Sequence, residues 1–234
     1  MSEAVVGEKR VAVAFSGGLD STVVAKCAMR EVEVVACTGF SAGSGDATKA
    51  KEAAAALGLG LVETRLTPVN VAEGLAGIDL PFQPTLMDKS LWVLYSLVAR
   101  SARDSGARVM LLGQLADELF GGYAKYAEAV RVQGAEAART MMDMDVREYV
   151  GRGRLRDVAA CGRWVEPRFP FEGRQVMELA SSMPVSFKIR DGVRKAVLRR
   201  AAAVLGIPEG LAGTAKKAAQ YSSGVQKLVA GSPF

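Results

Sequence analysis

The chain has 234 residues, 50% of them hydrophobic, with a formal net charge of +5 and a pI near 9.2. This is enough chain for one α/β domain with a helical appendage. Its apolar runs are short and broken by charge or glycine, so neither a membrane span nor a secretory leader is expected. Three widely spaced cysteines, Cys27, Cys37 and Cys161, point to a reducing, cytoplasmic setting. The absence of histidine excludes a Cys/His zinc site and leaves carboxylates, tyrosines and lysines as general bases.

Residues 1–8 show no periodicity and read as a loose tail. Val11 to Phe15 is an apolar strand that runs into a tight Ser16-Gly17-Gly18 turn, and a helix begins near Asp20 and Ser21. Small residues between a buried strand and a helix leave several backbone N–H groups aimed at one spot, where the helix dipole also favours negative charge. The stretch reads as a phosphate seat. It is not a Walker A loop, since no Gly-Lys-Ser/Thr follows, and not GxGxxG, since its glycines are adjacent. Asp20 at the helix start requires a cation between its carboxylate and a phosphate, which makes a magnesium-bound nucleotide the natural ligand.

Val23, Val24 and Cys27 follow at helical spacing, and Glu33 to Phe40 is a second strand. After a Gly/Ser loop at 41–45, Asp46 begins an alanine-rich helix that ends at Gly58, Leu59 to Thr64 is a third strand and Val69 to Leu75 a short helix. Such alternation predicts an open, mostly parallel sheet with helices on both faces. Pro81 and Pro84 make a break, after which Asp88 is expected to cap a helix with Leu91, Leu94 or Tyr95, Val98 and Ala102 as its apolar stripe. Trp92 and the Leu91–Tyr95 pair read as core packing. Val109 to Leu112 is the next strand, ending in Gly113 and followed by Gln114 to Tyr126. Ligands collect at the carboxyl ends of parallel strands, so Asp117 either reaches the same cation as Asp20 or merely caps a helix. From Ala127 the strand signal vanishes and helices are expected at 127–149, 175–183 and 191–205. The division that follows is a nucleotide-binding α/β core over 1–126 and a mainly helical part over 127–234. Lys216, Lys217, Gln220 and Tyr221 lie in a late loop, where the lysines either serve a site or form a solvated basic face.

Ser16-Gly17-Gly18-Leu19-Asp20-Ser21 resembles the pyrophosphate loop (PP-loop) of the N-type ATP pyrophosphatases. Gly113 to Tyr123, containing ADELFGGY, is similar to the signature of the synthetase domain of asparagine synthetases and their relative β-lactam synthetase. Gly43–Lys49, Trp164–Phe171 and Lys216–Gly224 resemble further segments of that family in the same order, so the likeness covers roughly residues 9–228. The resemblance implies an adenine nucleotide alpha hydrolase-like fold of the HUP/PP-loop group. It implies that Ser16, Gly17, Gly18, Asp20 and Ser21 hold the β- and γ-phosphates of ATP, that Asp20 and Asp117 coordinate magnesium, and that Thr38, Gly39 and Gly113 lie near adenosine. A small carboxylic acid would attack the α-phosphate to give an acyl-adenylate and pyrophosphate, and ammonia or an amine would displace AMP. Lys217, or Lys216 if the register slips by one, would stabilise the charge on the α-phosphate.

The chain departs from the family in three places. Ser2 follows Met1 where asparagine synthetases carry the cysteine of a glutaminase domain, so nitrogen is expected from ammonia, an amine or a separate glutaminase subunit. Gln114 replaces the usual glutamate, so a group that could accept a proton becomes one that can only hydrogen-bond. Leu115 replaces the usual glycine and is expected to narrow the pocket beside the nucleotide. Glu166 and Arg168 read equally as a structural ion pair or as substrate contacts. Two other classes compete with an amide-forming ligase. One is a PP-loop enzyme that modifies an RNA base, which the basic pI permits but the missing CxxC pairs and RNA-binding module disfavour. The other is a catalytically altered ATP-binding subunit of a larger synthetase. A homodimer is a further expectation, covering surface that a glutaminase domain would otherwise occupy.

Overall fold

The first strands bury both faces, and that fixes the layering of the whole molecule. The computed structural model describes residues 1–44, 46–212 and 219–232. Strands β1 (Arg10–Ala14), β2 (Glu33–Ser41), β3 (Gly60–Leu66), β4 (Val109–Leu111) and β5 (Glu166–Arg168) form one sheet in the order β3-β2-β1-β4-β5, with every neighbouring pair parallel. Register pairs Ala12 with Met110 and Val13 with Leu111. Val11, Val13, Val109 and Leu111 face one hydrophobic cluster, while Ala12, Met110 and Leu112 face another. Strands covered on both sides read as near-continuous apolar runs, as these do.

A short helix α1 (Ser2–Val5) precedes the sheet. The connecting helices are α2 (Leu19–Ala28), α3 (Asp46–Leu57), α4 (Pro68–Ala76) and α5 (Leu86–Asp104). Helices α2 and α3 cover the first face, and α4 and α5 pack on the second. After β4 come α6 (Ala116–Phe120), α7 (Ala124–Gln133), α8 (Ala135–Glu148), a π turn over Tyr149–Gly153 and α9 (Arg154–Gly162). Beyond β5 lie α10 (Arg174–Ser182), α11 (Val185–Lys188), a hairpin of β6 (Ile189–Arg190) and β7 (Val193–Arg194), and α12 (Ala196–Val204). Short helices α13 (Glu209–Ala212), α14 (Ala219–Ser222) and α15 (Val225–Ala230) complete the described chain. Among the described residues no helix is long and apolar enough to cross a membrane.

The expected α/β architecture is present, with four local corrections. The supposed loose tail contains α1, whose Val5 is buried, and Arg168 donates hydrogen bonds to the carbonyls of Ala4 and Val6 at 3.2 and 3.0 Å. A strand does exist past Ala127: β5 reads Glu-Pro-Arg, has no apolar alternation, and is held as an edge strand by pairing with β4, where a proline is tolerated. The helix expected over 127–149 is broken at Gly134, whose φ of 94° is open to glycine. The helix expected over 191–205 starts instead as the β6–β7 hairpin, because Asp191 and Gly192 adopt φ values of 49° and 76° and make a two-residue turn.

Sheet order carries the functional consequence. From β1 the chain winds outward through β2 to β3, then crosses back to β4 on the other side of β1 and on to β5. The crevice between β1 and β4 is therefore the switch point of an open α/β sheet, the place where such sheets bind ligands. The loops Ser16–Ser21 and Gly113–Tyr123 leave from the ends of these two neighbouring strands.

Candidate active site

A cavity of about 990 Å³ opens at the carboxyl ends of β1, β2 and β4. Ser16, Gly18, Asp20 and Ser21 line it from the first loop, Thr38 and Gly39 from the end of β2, and Gly113, Gln114 and Asp117 from the second loop. Gly17 faces the other way. Its φ is 68°, and a Cβ there would lie 2.6 Å from the Lys49 carbonyl oxygen, so glycine lets the loop rest directly on the α3 backbone. The loop is also tied to itself: the Ser21 hydroxyl donates to the Gly18 carbonyl at 3.2 Å, and the Gly18 amide donates to the Ser16 hydroxyl at 3.3 Å. Lys49, the last residue of the Gly43–Lys49 segment that resembles the family, lines the cavity with its Nζ 3.9 Å from where a Cβ of Gly18 would sit. Lys216 and Lys217 lie outside the described residues.

Asp20, at the start of α2, and Asp117, at the start of α6, converge on one position. The ammonium of Lys195 sits there. Its Nζ is 2.6 and 2.5 Å from the two carboxylate oxygens of Asp20 and 2.8 Å from Asp117 Oδ1. Lys195 is 5% exposed and has a left-handed backbone, φ 56°, between β7 and α12. Gly122 leaves the room for this contact, since a Cβ there would stand 1.8 Å from Asp117 Oδ1 and 2.3 Å from Lys195 Cε. The sequence reading missed Lys195 because it placed the residue inside a helix. The Asp-Gly dipeptide three residues earlier was the available signal.

Two carboxylates meeting at one cation are also the donor set that magnesium takes when phosphate oxygens and water complete its shell. Among the described residues no cluster of three or more acidic or cysteine side chains offers a fuller cage. The residues present therefore fit a magnesium ion that arrives with a polyphosphate.

The opposite wall is built from α5, the π turn and α9. Thr85 caps α5, not Asp88 as expected; Asp88 completes the capping box by accepting from the Thr85 amide at 3.0 Å. The same Asp88 carboxylate pairs with Arg152 at 2.7 Å and Arg156 at 3.2 Å. Burial pushes the Asp88 carboxyl up, but hydrogen bonds from Arg152 and Thr85 and the charge of Arg156 outweigh it and hold its pKa at about 2. Arg156 also donates to Asp157 at 2.8 Å. Asp157 is fully buried and accepts hydrogen bonds from Gln114 Nε2 at 2.8 Å and from the Tyr149 hydroxyl at 3.3 Å. Burial pushes the Asp157 carboxyl up against the pull of Arg156, Gln114 and Tyr149.

Gln114 therefore has a fixed amide. Its Nε2 donates to Asp157 and, at 3.0 Å, to the Tyr95 hydroxyl, which uses both N–H groups and leaves Oε1 as the group with spare capacity, an acceptor. Leu91 and Tyr95, read from sequence as core packing, are buried or packed against the second cluster and also line the cavity, while Trp92 is core as expected. Leu115 does not narrow the cavity. It is 2% exposed within the first hydrophobic cluster, and it adopts φ 70°, a left-handed conformation that glycine takes without strain. Glu118 and Tyr123 line the cavity beyond Asp117, joined by a 2.7 Å hydrogen bond from the tyrosine, and burial pushes the Glu118 carboxyl up. Glu166 and Arg168 pair at 2.7 Å at the sheet edge, away from the cavity lining.

The family model for asparagine synthase matches this chain over residues 1–151 and 130–231. A putative glutamine-hydrolysing asparagine synthetase of Methanocaldococcus jannaschii is 28% identical over 95% of this chain and 47% of its own length. The asparagine synthetase of Asparagus officinalis is 29% identical over 81% of this chain and 34% of its own length. Mouse asparagine synthetase domain-containing protein 1 is 32% identical over 58% of this chain and 22% of its own length. The chain thus spans less than half the length of these relatives. Among solved structures, the U34-tRNA thiolase NcsA from Methanococcus maripaludis overlies 98% of this chain and 74% of its own, at 14% identity and a TM-score of 0.41. Similarity at that level does not bear on the reaction.

Proposed function

The chain belongs to the asparagine synthase family, and on that premise we propose that the cavity between β1 and β4 is the site of an ATP-dependent carbon–nitrogen ligase. In this reading it adenylates a small carboxylic acid with release of pyrophosphate and passes the acyl group to ammonia or an amine with release of AMP. The observation that supports it best is the meeting of Asp20 and Asp117, from separate loops, at one cation position beside a small-residue phosphate seat. Magnesium, when bound, would neutralise the polyphosphate charge there.

The chain's own groups supply position and electrostatics. Backbone amides of the Ser16–Ser21 loop and the start of α2 receive the β- and γ-phosphates. Thr38, Gly39 and Gly113, which line the cavity, are proposed to face the nucleoside, with Gly39 giving α5 room to pack, since a Cβ there would meet Leu94 and Val98 at 2.8 and 2.9 Å. Gln114 Oε1 accepts an N–H of the incoming nitrogen and orients its lone pair without taking a proton. Lys217, or Lys216 in the neighbouring register, is proposed to neutralise the charge that builds on the α-phosphate.

The test is release of AMP and pyrophosphate from Mg-ATP by the purified protein, screened over amino and keto acids with and without ammonium. AMP release that depends on one acid is expected, and Asp20→Asn and Asp117→Asn should each lower it by about 100-fold or more. Undiminished turnover in either variant refutes the assigned carboxylates. Tight ATP binding with no AMP for any acid or amine refutes the ligase and favours a nucleotide-binding subunit.

A further inference from the structure

We propose that Lys195 keeps the Asp20–Asp117 site closed to metal until a polyphosphate is present, so that the divalent cation and the nucleotide enter only together. This rests on the reading of that site as a metal-nucleotide site, but not on the ligase chemistry.

Space comes first. Lys195 Nζ lies 2.5 to 2.8 Å from oxygens of both carboxylates. Magnesium binds carboxylate oxygens at about 2.1 Å. A metal ion shared by Asp20 and Asp117 would need the same carboxylate oxygens that hold the ammonium, so the two cations compete for one place.

Charge comes second. With its side chain 6% exposed, the lysine sits against carboxylates that are 19% and 12% exposed, so the three groups are largely withdrawn from water. One ammonium offsets one of the two negative charges, and it does so with short, charge-assisted hydrogen bonds. A free metal ion that took the carboxylates would leave that ammonium unpaired in a poorly solvated place, a costly state. A polyphosphate removes the penalty because it brings its own negative charge to the Ser16–Ser21 loop beside the displaced ammonium. Metal binding and phosphate binding are then coupled, and by linkage each strengthens the other by the same factor.

The backbone supports a lysine held in this place rather than one arriving by chance. Lys195 adopts φ 56° where the β6–β7 hairpin meets α12, Arg194 donates to the Gly122 carbonyl at 2.8 Å, and Gly122 has no side chain where one would strike both Asp117 and Lys195. Three features of the chain thus maintain one contact.

Manganese is the probe, because its free and bound forms are distinguished by electron paramagnetic resonance without any turnover. Wild-type protein with Mn²⁺ alone should show little binding at this site, and addition of pyrophosphate or a non-hydrolysable ATP analogue should raise Mn²⁺ affinity by about tenfold or more. Lys195→Met should bind Mn²⁺ without phosphate at least about tenfold more tightly than wild type, and Asp20→Asn in that background should abolish the gain. Mn²⁺ binding by the wild type without phosphate, as tight as with it and lost in Asp20→Asn, overturns the proposal. That arm decides even if Lys195→Met does not fold. A protein that shows the coupling but releases no AMP with any acid would keep this inference and lose the ligase.

Discussion

Two walls of the cavity carry the same ionic pattern, a carboxylate, a cation and a second carboxylate. On one wall the row is Asp20, Lys195 and Asp117; on the other it is Asp88, Arg156 and Asp157. They differ in the cation and in depth. Lys195 meets its partners with one nitrogen, at carboxylates 19% and 12% exposed, whereas Arg156 spreads three nitrogens over carboxylates 2% and 0% exposed. A lysine is a point charge on a flexible stem that can be exchanged for another cation, and a guanidinium is a fixed fork that cannot. The first row is suited to change during function. The second is suited to stay as it is, and it holds the Gln114 amide in one orientation through Asp157.

The largest effect that would break this contrast comes from Arg156. Replacing it with methionine keeps much of the apolar stem but takes their shared cation from Asp88 and Asp157, both buried. Loss of one member of a buried ion pair costs about 3 to 5 kcal/mol, and Arg152 retains only the Asp88 side. Urea unfolding of Arg156→Met should show a loss of that size. A loss under about 1 kcal/mol would mean that the second row behaves like a surface pair, and the contrast between the walls would fail.

A smaller effect sharpens the picture of the segment joining the rows. Leu115 lies between Gln114 and Asp117, and its side chain enters the core rather than the cavity. Leu115→Ala keeps the strained left-handed backbone and removes apolar contacts, so stability should fall by about 2 to 3 kcal/mol while nucleotide affinity stays unchanged. Calorimetry with an ATP analogue checks the second half. Tighter or weaker nucleotide binding with unaltered stability would restore the view that this leucine shapes the pocket.

The difference between the walls also explains what could be read from the chain. The Ser16–Ser21 and Gly113–Tyr123 loops were legible because each is a continuous segment of glycines and carboxylates at the end of an apolar strand, the second through its likeness to the family's signature. Their meeting followed from the parallel sheet, and the strand order placed them at its switch point. The cations were not legible. Lys195 is delivered by a hairpin hidden in a stretch with helical periodicity, where the Asp191-Gly192 turn outweighs the pattern around it. Arg156 and Asp157 lie in the run Arg152-Gly-Arg-Leu-Arg-Asp, whose polar character suggests solvent, and they are buried because a π turn carries α8 into α9 against α5. A π turn of this kind often marks a functional site, and no sequence signal available here announces it.

Gln114→Glu is the mildest change and the most direct test of the fixed amide. The new carboxylate would lose both donated hydrogen bonds and stand beside Asp157, itself pushed up by burial. Its pKa in the folded protein should therefore rise above the unfolded value of about 4.3. A carboxyl with a raised folded pKa is protonated at low pH in the native state, so the variant's deficit is smallest below the unfolded pKa. The deficit grows as pH rises through the folded value, because the native state then gives up the proton it held more tightly. Urea midpoints at pH 4 and pH 8 should show the gap from wild type widening by about 1 to 2 kcal/mol. A gap that does not change with pH would mean that position 114 does not face the Asp157 carboxylate, and the second wall would then have no grip on the residue proposed to orient the nitrogen.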